Sequence, residues 1–110
     1  MPRRIRYTVA FRDALAEQNK WLKKNRSKRQ RLRLRAALGQ FRQTITANPG
    51  IGFESEKVGP SSVRAFTLSG LPLLIWYAFD EGDPRAAIWL LMLWHDSQDR
   101  SGVSPTQYMP

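Results

Sequence analysis

The chain has no cysteine in its 110 residues and only one histidine, His95. The first absence excludes a disulfide framework and a thiolate zinc site. The second leaves any metal to one imidazole and scattered carboxylates, too sparse a set for a built centre, so neither a metal nor a cofactor is expected. Long apolar runs are missing as well. The longest, Ala86 to Trp94, falls well short of the ~20 residues needed to cross a bilayer. The N-terminal stretch MPRRIRYTVAF is basic but lacks the apolar core of an export signal, so the expectation is a cytoplasmic protein with no membrane partner. A further absence concerns one sign of charge. Between Gln18 and Phe53 there is no Asp or Glu, while the stretch from Lys20 to Arg35 carries nine Lys and Arg residues.

What is present sets the class. One domain is expected at this length, read as residues 1–100 with a C-terminal tail, 101–110, that shows no periodicity. Hydrophobic residues make up 42% and charged ones 25%, which is the globular range. Lys and Arg number 18 against 9 acids, a formal charge of +9 that favours anionic partners such as nucleic acid, a ribosome or an acidic protein.

The pattern reads as β-α-α-β-β-β, an α+β domain made of an N-terminal strand, a helical hairpin and a three-stranded antiparallel meander. Arg4 to Phe11 alternates as a strand, with Ile5, Tyr7, Val9 and Phe11 on one side. A helix is expected from Asp13 to about Asn25. A second, from Ser27 to Ala47, carries Leu34, Ala37, Leu38, Phe41 and Ile45 in one stripe and stops at Asn48-Pro49-Gly50. Gly50 to Pro60 reads as a loop. The meander strands are expected at Val63–Leu68, Leu73–Phe79 and Ala86–His95, separated by Ser69, Gly70 and Pro72 and by the DEGDP turn, Asp80 to Pro84.

Period two places Leu73, Ile75, Tyr77 and Phe79 on one face, opposite Leu74, Trp76 and Ala78. In the last strand Ile88, Leu90, Met92 and Trp94 oppose Trp89, Leu91, Leu93 and His95. Both faces are apolar, and one helical hairpin covers one of them. Part of the other is therefore expected to stay open as a docking surface, with Trp76, Trp89, Leu91 and Leu93 as partner-binding residues. Lys28, Arg29, Arg31, Arg33 and Arg35 spread away from the apolar stripe of the second helix. Nine like charges without acidic neighbours repel one another, so these residues read as an anion-facing, nucleic-acid-binding surface. His95 ends the last strand and reads as a group hydrogen-bonded to the turn after it. No serine stands in a nucleophile-elbow context.

Several stretches in this order resemble the RelE/ParE superfamily of type II toxin-antitoxin toxins. They are the NPG after the second helix, Val63-Arg64-Ala65-Phe66, the LPLLIWYAFD strand with its acidic turn, and the terminal LMLWHDSQD. The family's corresponding stretches read approximately "pyliyYrvd" and "ilrvlHgrrD", and Pro72, Tyr77, Asp80, His95 and Asp99 fall on matching places. The likeness runs from Ile5 to Asp99. It implies a plasmid-stabilisation type toxin that inhibits growth when free of a cognate antitoxin. Two mechanisms are implied. A RelE-like member cleaves messenger RNA on the ribosome; here Arg64 would clamp phosphate, His95 would carry the proton, and Lys57, Glu54 and Tyr77 would assist. A ParE-like member inhibits DNA gyrase by protein contact. The catalytic branch carries an Arg inside the last strand where this chain has Leu91, Met92 and Leu93, which favours the ParE-like expectation. A basic nucleic-acid-binding module is the third reading.

Overall fold

The computed structural model describes residues 3–68 and 70–110, so Ser69 of the first expected turn lies outside the described residues. The order is β1 (Ile5–Tyr7), α1 (Val9–Lys24), α2 (Lys28–Ala47), a 3-10 turn (Pro49–Ile51), β2 (Phe53–Val58), β3 (Ser61–Thr67), β4 (Leu73–Asp80), β5 (Ile88–His95) and a second 3-10 turn (Pro105–Tyr108). The α+β class and the order of helices and meander match the expectation. The sheet does not: it has five strands, ordered β1-β5-β4-β3-β2, with β1 parallel to β5 and every other pair antiparallel. The additional strand is β2, which lies inside the expected Gly50–Pro60 loop.

Thr8 decides where the first strand ends. Its Oγ1 accepts from the Phe11 amide at 3.0 Å and donates to the Leu91 carbonyl at 2.7 Å, so it caps α1 and ties that cap to β5. The alternation through Val9 and Phe11 is thus not strand periodicity. Phe11 is buried as the first member of the apolar stripe of α1. The turn between the helices is a Schellman motif: Ser27 N–H donates to Leu22 O and Arg26 N–H to Lys23 O, with Arg26 in the left-handed region at φ 54°.

The helix-side core gathers Phe11, Leu22, Leu34, Leu38, Phe41 and Ile45 against Leu73, Ile75, Tyr77, Phe79, Ile88, Leu90 and Leu93. The expected faces of β4 hold, but those of β5 do not. Tyr77 pairs with Leu90 and Trp76 with Met92, so Leu91 is a bulge residue and the alternation inverts after it. Leu93 therefore packs under the helices, while Leu91 and Trp94 lie on the opposite face.

That opposite face is not open along its centre. Val63, Trp76, Ala78, Leu91 and Trp94 are buried there, with Val103, Tyr108 and Met109 of the tail packed on them. The expectation of a free docking surface is corrected accordingly: Trp76 and Leu91 lie beneath the chain's own residues 101–110, Trp89 is half-buried beside them, and Leu93 faces the other way. The fully apolar second face has driven the tail to fold back over it. Among the described residues, no helix is long and apolar enough to cross a membrane.

Candidate functional site

Two constellations carry polar chemistry. The first is built where β2, β3 and β4 meet the Pro49–Ile51 turn. Arg64 of β3 lies opposite Tyr77 of β4 on the helix side. Its guanidinium donates through Nη1 to Gly50 O at 2.9 Å and Gly52 O at 2.7 Å, and through Nε to Ser62 Oγ at 3.0 Å. Glu54 Oε1 accepts from Ser62 Oγ at 2.7 Å and stands 3.8 Å from Arg64 Nη2. The Tyr77 hydroxyl donates to Pro49 O at 2.7 Å and accepts from Gly52 N–H at 2.9 Å. Burial pushes the Tyr77 phenol up from its ordinary value, with the Gly52 hydrogen bond and the Arg64 charge opposing that rise. Gly52 is glycine because there is no room for more: a Cβ there would sit 2.7 Å from Tyr77 Oη and 2.8 Å from Ala65 O.

Arg64, Glu54 and Tyr77 are thus brought together, but as a latch that fastens the turn after α2 to the sheet. Arg64 donates to two carbonyls and a hydroxyl and pairs with a carboxylate at 3.8 Å. Lys57 stands apart in β2, paired with Glu81 at 3.3 Å on the surface. His95 is remote as well. It pairs with Leu73 while Arg64 pairs with Tyr77, four positions along β4 and two strand spacings across, which puts their Cα atoms about 17 Å apart. The His95 Nδ1 accepts from Ser97 N–H at 3.1 Å and contacts Ser97 Oγ at 2.7 Å, the turn-bonded role expected of it. Asp99 caps a different turn by accepting from Ser101 N–H at 2.8 Å, and the Ser101 side chain first and that amide second hold its carboxyl below the usual range. The titratable groups beside the Arg64 guanidinium are Glu54 and Tyr77, each already hydrogen-bonded within the latch, and His95 is not among them. Among the described residues, no cluster of three or more His, Asp or Glu could hold a metal.

The second constellation is a groove of about 530 Å³ between α1 and α2. Its floor is Leu15, Leu34 and Leu38, and its rim carries Leu32 with Lys28, Arg31, Arg35 and Arg42. Lys28, Arg31, Arg35 and Arg42 recur at i, i+3, i+7 and i+14, so they form one stripe of α2 roughly 21 Å long at 1.5 Å per residue. Leu32 is 55% exposed at its edge. Arg31 Nε is buried there with no hydrogen-bond partner among the described residues. No ion pair among the described residues involves any of these cations.

The five cations expected to act together are therefore divided. Lys28, Arg31 and Arg35 line the groove, with Lys28 at its border. Arg29 and Arg33 flank Leu32 on the neighbouring face, where Arg33 Nη2 donates to Gly70 O at 3.0 Å. Sequence reading missed Arg42 and the exposed Leu32. The signal was available, because Arg42 continues the same stripe one step past the uninterrupted basic run. In comparisons with protein-family models, curated proteins and solved structures, none matches this chain.

Proposed function

We propose that this chain is a growth-inhibiting toxin of the RelE/ParE type that acts by protein contact, ParE-like through DNA gyrase, and is silenced by an acidic antitoxin. The observation that carries the reading is the acid-free groove of the hairpin, where cations line an apolar floor. A carboxylate-rich amphipathic helix matches it, since its acids reach the rim while its apolar side chains cover the leucines. Among the described residues the groove has no aromatic lining to stack bases, which favours a polypeptide over single-stranded nucleic acid. The separation of Arg64 from His95 supports contact inhibition over messenger RNA cleavage, because phosphate clamping and proton transfer must act on the same bond.

With the centre of the second sheet face occupied by residues 101–110, the hairpin is the antitoxin surface in this reading. The test is expression without a partner, read by growth, by plasmid supercoiling and by primer extension on ribosome-bound messenger RNA. Growth arrest with relaxed plasmid and intact transcripts supports the proposal. Arrest with cleaved transcripts moves the chain to the RelE-like branch. Absence of any effect leaves the basic nucleic-acid-binding module, whose binding would fall steeply as salt rises.

A further inference from the structure

We propose that the outward face of α2 binds double-stranded DNA along the major groove, with two rows of cations taking the phosphates on either side of a neutral crest. The charge of the chain is segregated: residues 1–52 hold 14 Lys and Arg against 2 acids, and residues 53–110 hold 4 against 7. An anionic surface is therefore drawn to the hairpin. Within α2, the buried stripe of Leu34, Leu38, Phe41 and Ile45 fixes which side faces out. At about 100° per residue, Leu32, Ala36, Gly39 and Gln43 lie roughly opposite that stripe and form the crest. Arg31, Arg35 and Arg42 run along one flank and Arg29 and Arg33 along the other, each row about 80° from the crest. Arg31 is half-buried and the other four are exposed. Among the described residues none of the five enters an ion pair. Arg33 uses one donor on Gly70 O at 3.0 Å, which holds its guanidinium at the flank.

Two rows of positive charge held apart by an uncharged strip match two phosphate backbones held apart by a groove floor. A helix with its side chains is about 10–12 Å across and the B-form major groove about 12 Å wide, so the crest reaches base edges while both rows meet phosphate. Gln40 and Gln43 stand exposed on this side, and a glutamine amide both donates to and accepts from a base edge. An acidic helix fits this face less well. It would need an apolar ridge to cover, and the crest offers one large apolar side chain, Leu32 at 55% exposed, followed by alanine and glycine. Other nucleic acids fit less well too. Phe41, the one aromatic residue of α2, is buried, so nothing on this helix stacks the bases of a single strand. The major groove of duplex RNA is too narrow to admit it. The crest is a different face of α2 from the groove beside α1, but Arg31, Arg35 and Arg42 border both, so the duplex and the antitoxin helix proposed above compete for them. Binding DNA requires no growth arrest, so this inference stands or falls apart from the toxin reading.

The test follows fluorescence anisotropy of a labelled DNA duplex of roughly 20 base pairs, its single strand and an RNA duplex of the same sequence, each titrated with the full chain. The DNA duplex should bind at least ~10-fold tighter than the other two, with an affinity that falls steeply as salt rises. Gly39→Leu separates the crest from bulk charge. A Cβ there would meet nothing within 4 Å in the folded chain, and leucine is the better helix former, so the unfolding midpoint should not drop. Duplex affinity should nevertheless fall at least ~10-fold, because the added side chain fills the space the groove floor must occupy. Replacing Arg29 and Arg33 together by Ala should weaken binding and lower the salt slope by about 2, whereas Arg85→Ala, an exposed cation of the acidic half, should change neither. Undiminished binding by a folded Gly39→Leu chain would overturn the proposal, as would equal affinity for the single strand or the RNA duplex, or an equal loss from Arg85→Ala. A chain that ignores the DNA duplex overturns it too, and if that chain takes poly-glutamate instead, the face belongs to an acidic protein.

Discussion

Replacing Tyr77 by Phe tests whether the latch beneath α2 holds the fold together. The side chain is fully buried, and its hydroxyl is joined to Pro49 O at 2.7 Å and Gly52 N–H at 2.9 Å. Phe fills the same volume apart from one oxygen, so the packing term barely changes and the hydrogen bonds dominate. Losing the bond to Pro49 costs about 1 kcal/mol, and leaving the buried Gly52 N–H unpaired costs a further 1–3 kcal/mol or so. The expected destabilisation is thus about 2–4 kcal/mol, or a fall in Tm of roughly 8–16 °C for a chain of this size. Guanidinium unfolding followed by tryptophan fluorescence should show a lower midpoint with an unchanged slope. Gly52→Ala provides the internal control. Its added Cβ would meet both Tyr77 Oη and Ala65 O, so it should remain destabilising in the Tyr77→Phe background, where only the first contact is gone. A loss below about 0.5 kcal/mol for Tyr77→Phe would refute the latch as a source of stability.

Three further outcomes follow from the same geometry. The folded-state phenol of Tyr77 is raised, so its contribution to stability is fully present below the ordinary tyrosine value near 10 and is lost as pH rises through the folded value. Alkaline unfolding should therefore be shallower in Tyr77→Phe than in the native chain. Arg26→Gly should stabilise by about 1 kcal/mol, measured by chemical denaturation, because the Schellman position at φ 54° strains any residue with a Cβ. Arg64→Ala should cost about 2–4 kcal/mol, since it strips the Gly50 and Gly52 carbonyls and the Ser62 hydroxyl of a donor and Glu54 of its ion-pair partner; an unchanged midpoint would return Arg64 to the pool of free surface cations.

Much of the architecture is legible in the sequence, and the misses have local causes. The stripe of α2 and the faces of β4 follow from spacing because each is buried along its whole length. β2 escapes because FESEKV is an edge strand: charges occupy its alternate places and a bulge at Ser55 breaks its register, so no apolar period survives. Leu91 and Leu93 are assigned to one face by strict alternation, and a single bulge separates them. The role of the tail is invisible to periodicity, since a strap buries isolated side chains such as Val103, Tyr108 and Met109 and not a repeating pattern. At the site, the resemblance links Arg64 with His95. Strand register holds them apart, and register across non-adjacent strands is a property of the folded sheet.

In the proposed reading this chain works by binding and not by cleaving a phosphodiester. The most direct measurement is the state of plasmid DNA and of ribosome-bound messenger RNA in the same cells after the chain is expressed alone, native and with His95→Ala. The account predicts growth arrest with relaxed plasmid and unbroken transcripts in both cases. Transcripts cut on the ribosome by the native chain and spared by His95→Ala would contradict it.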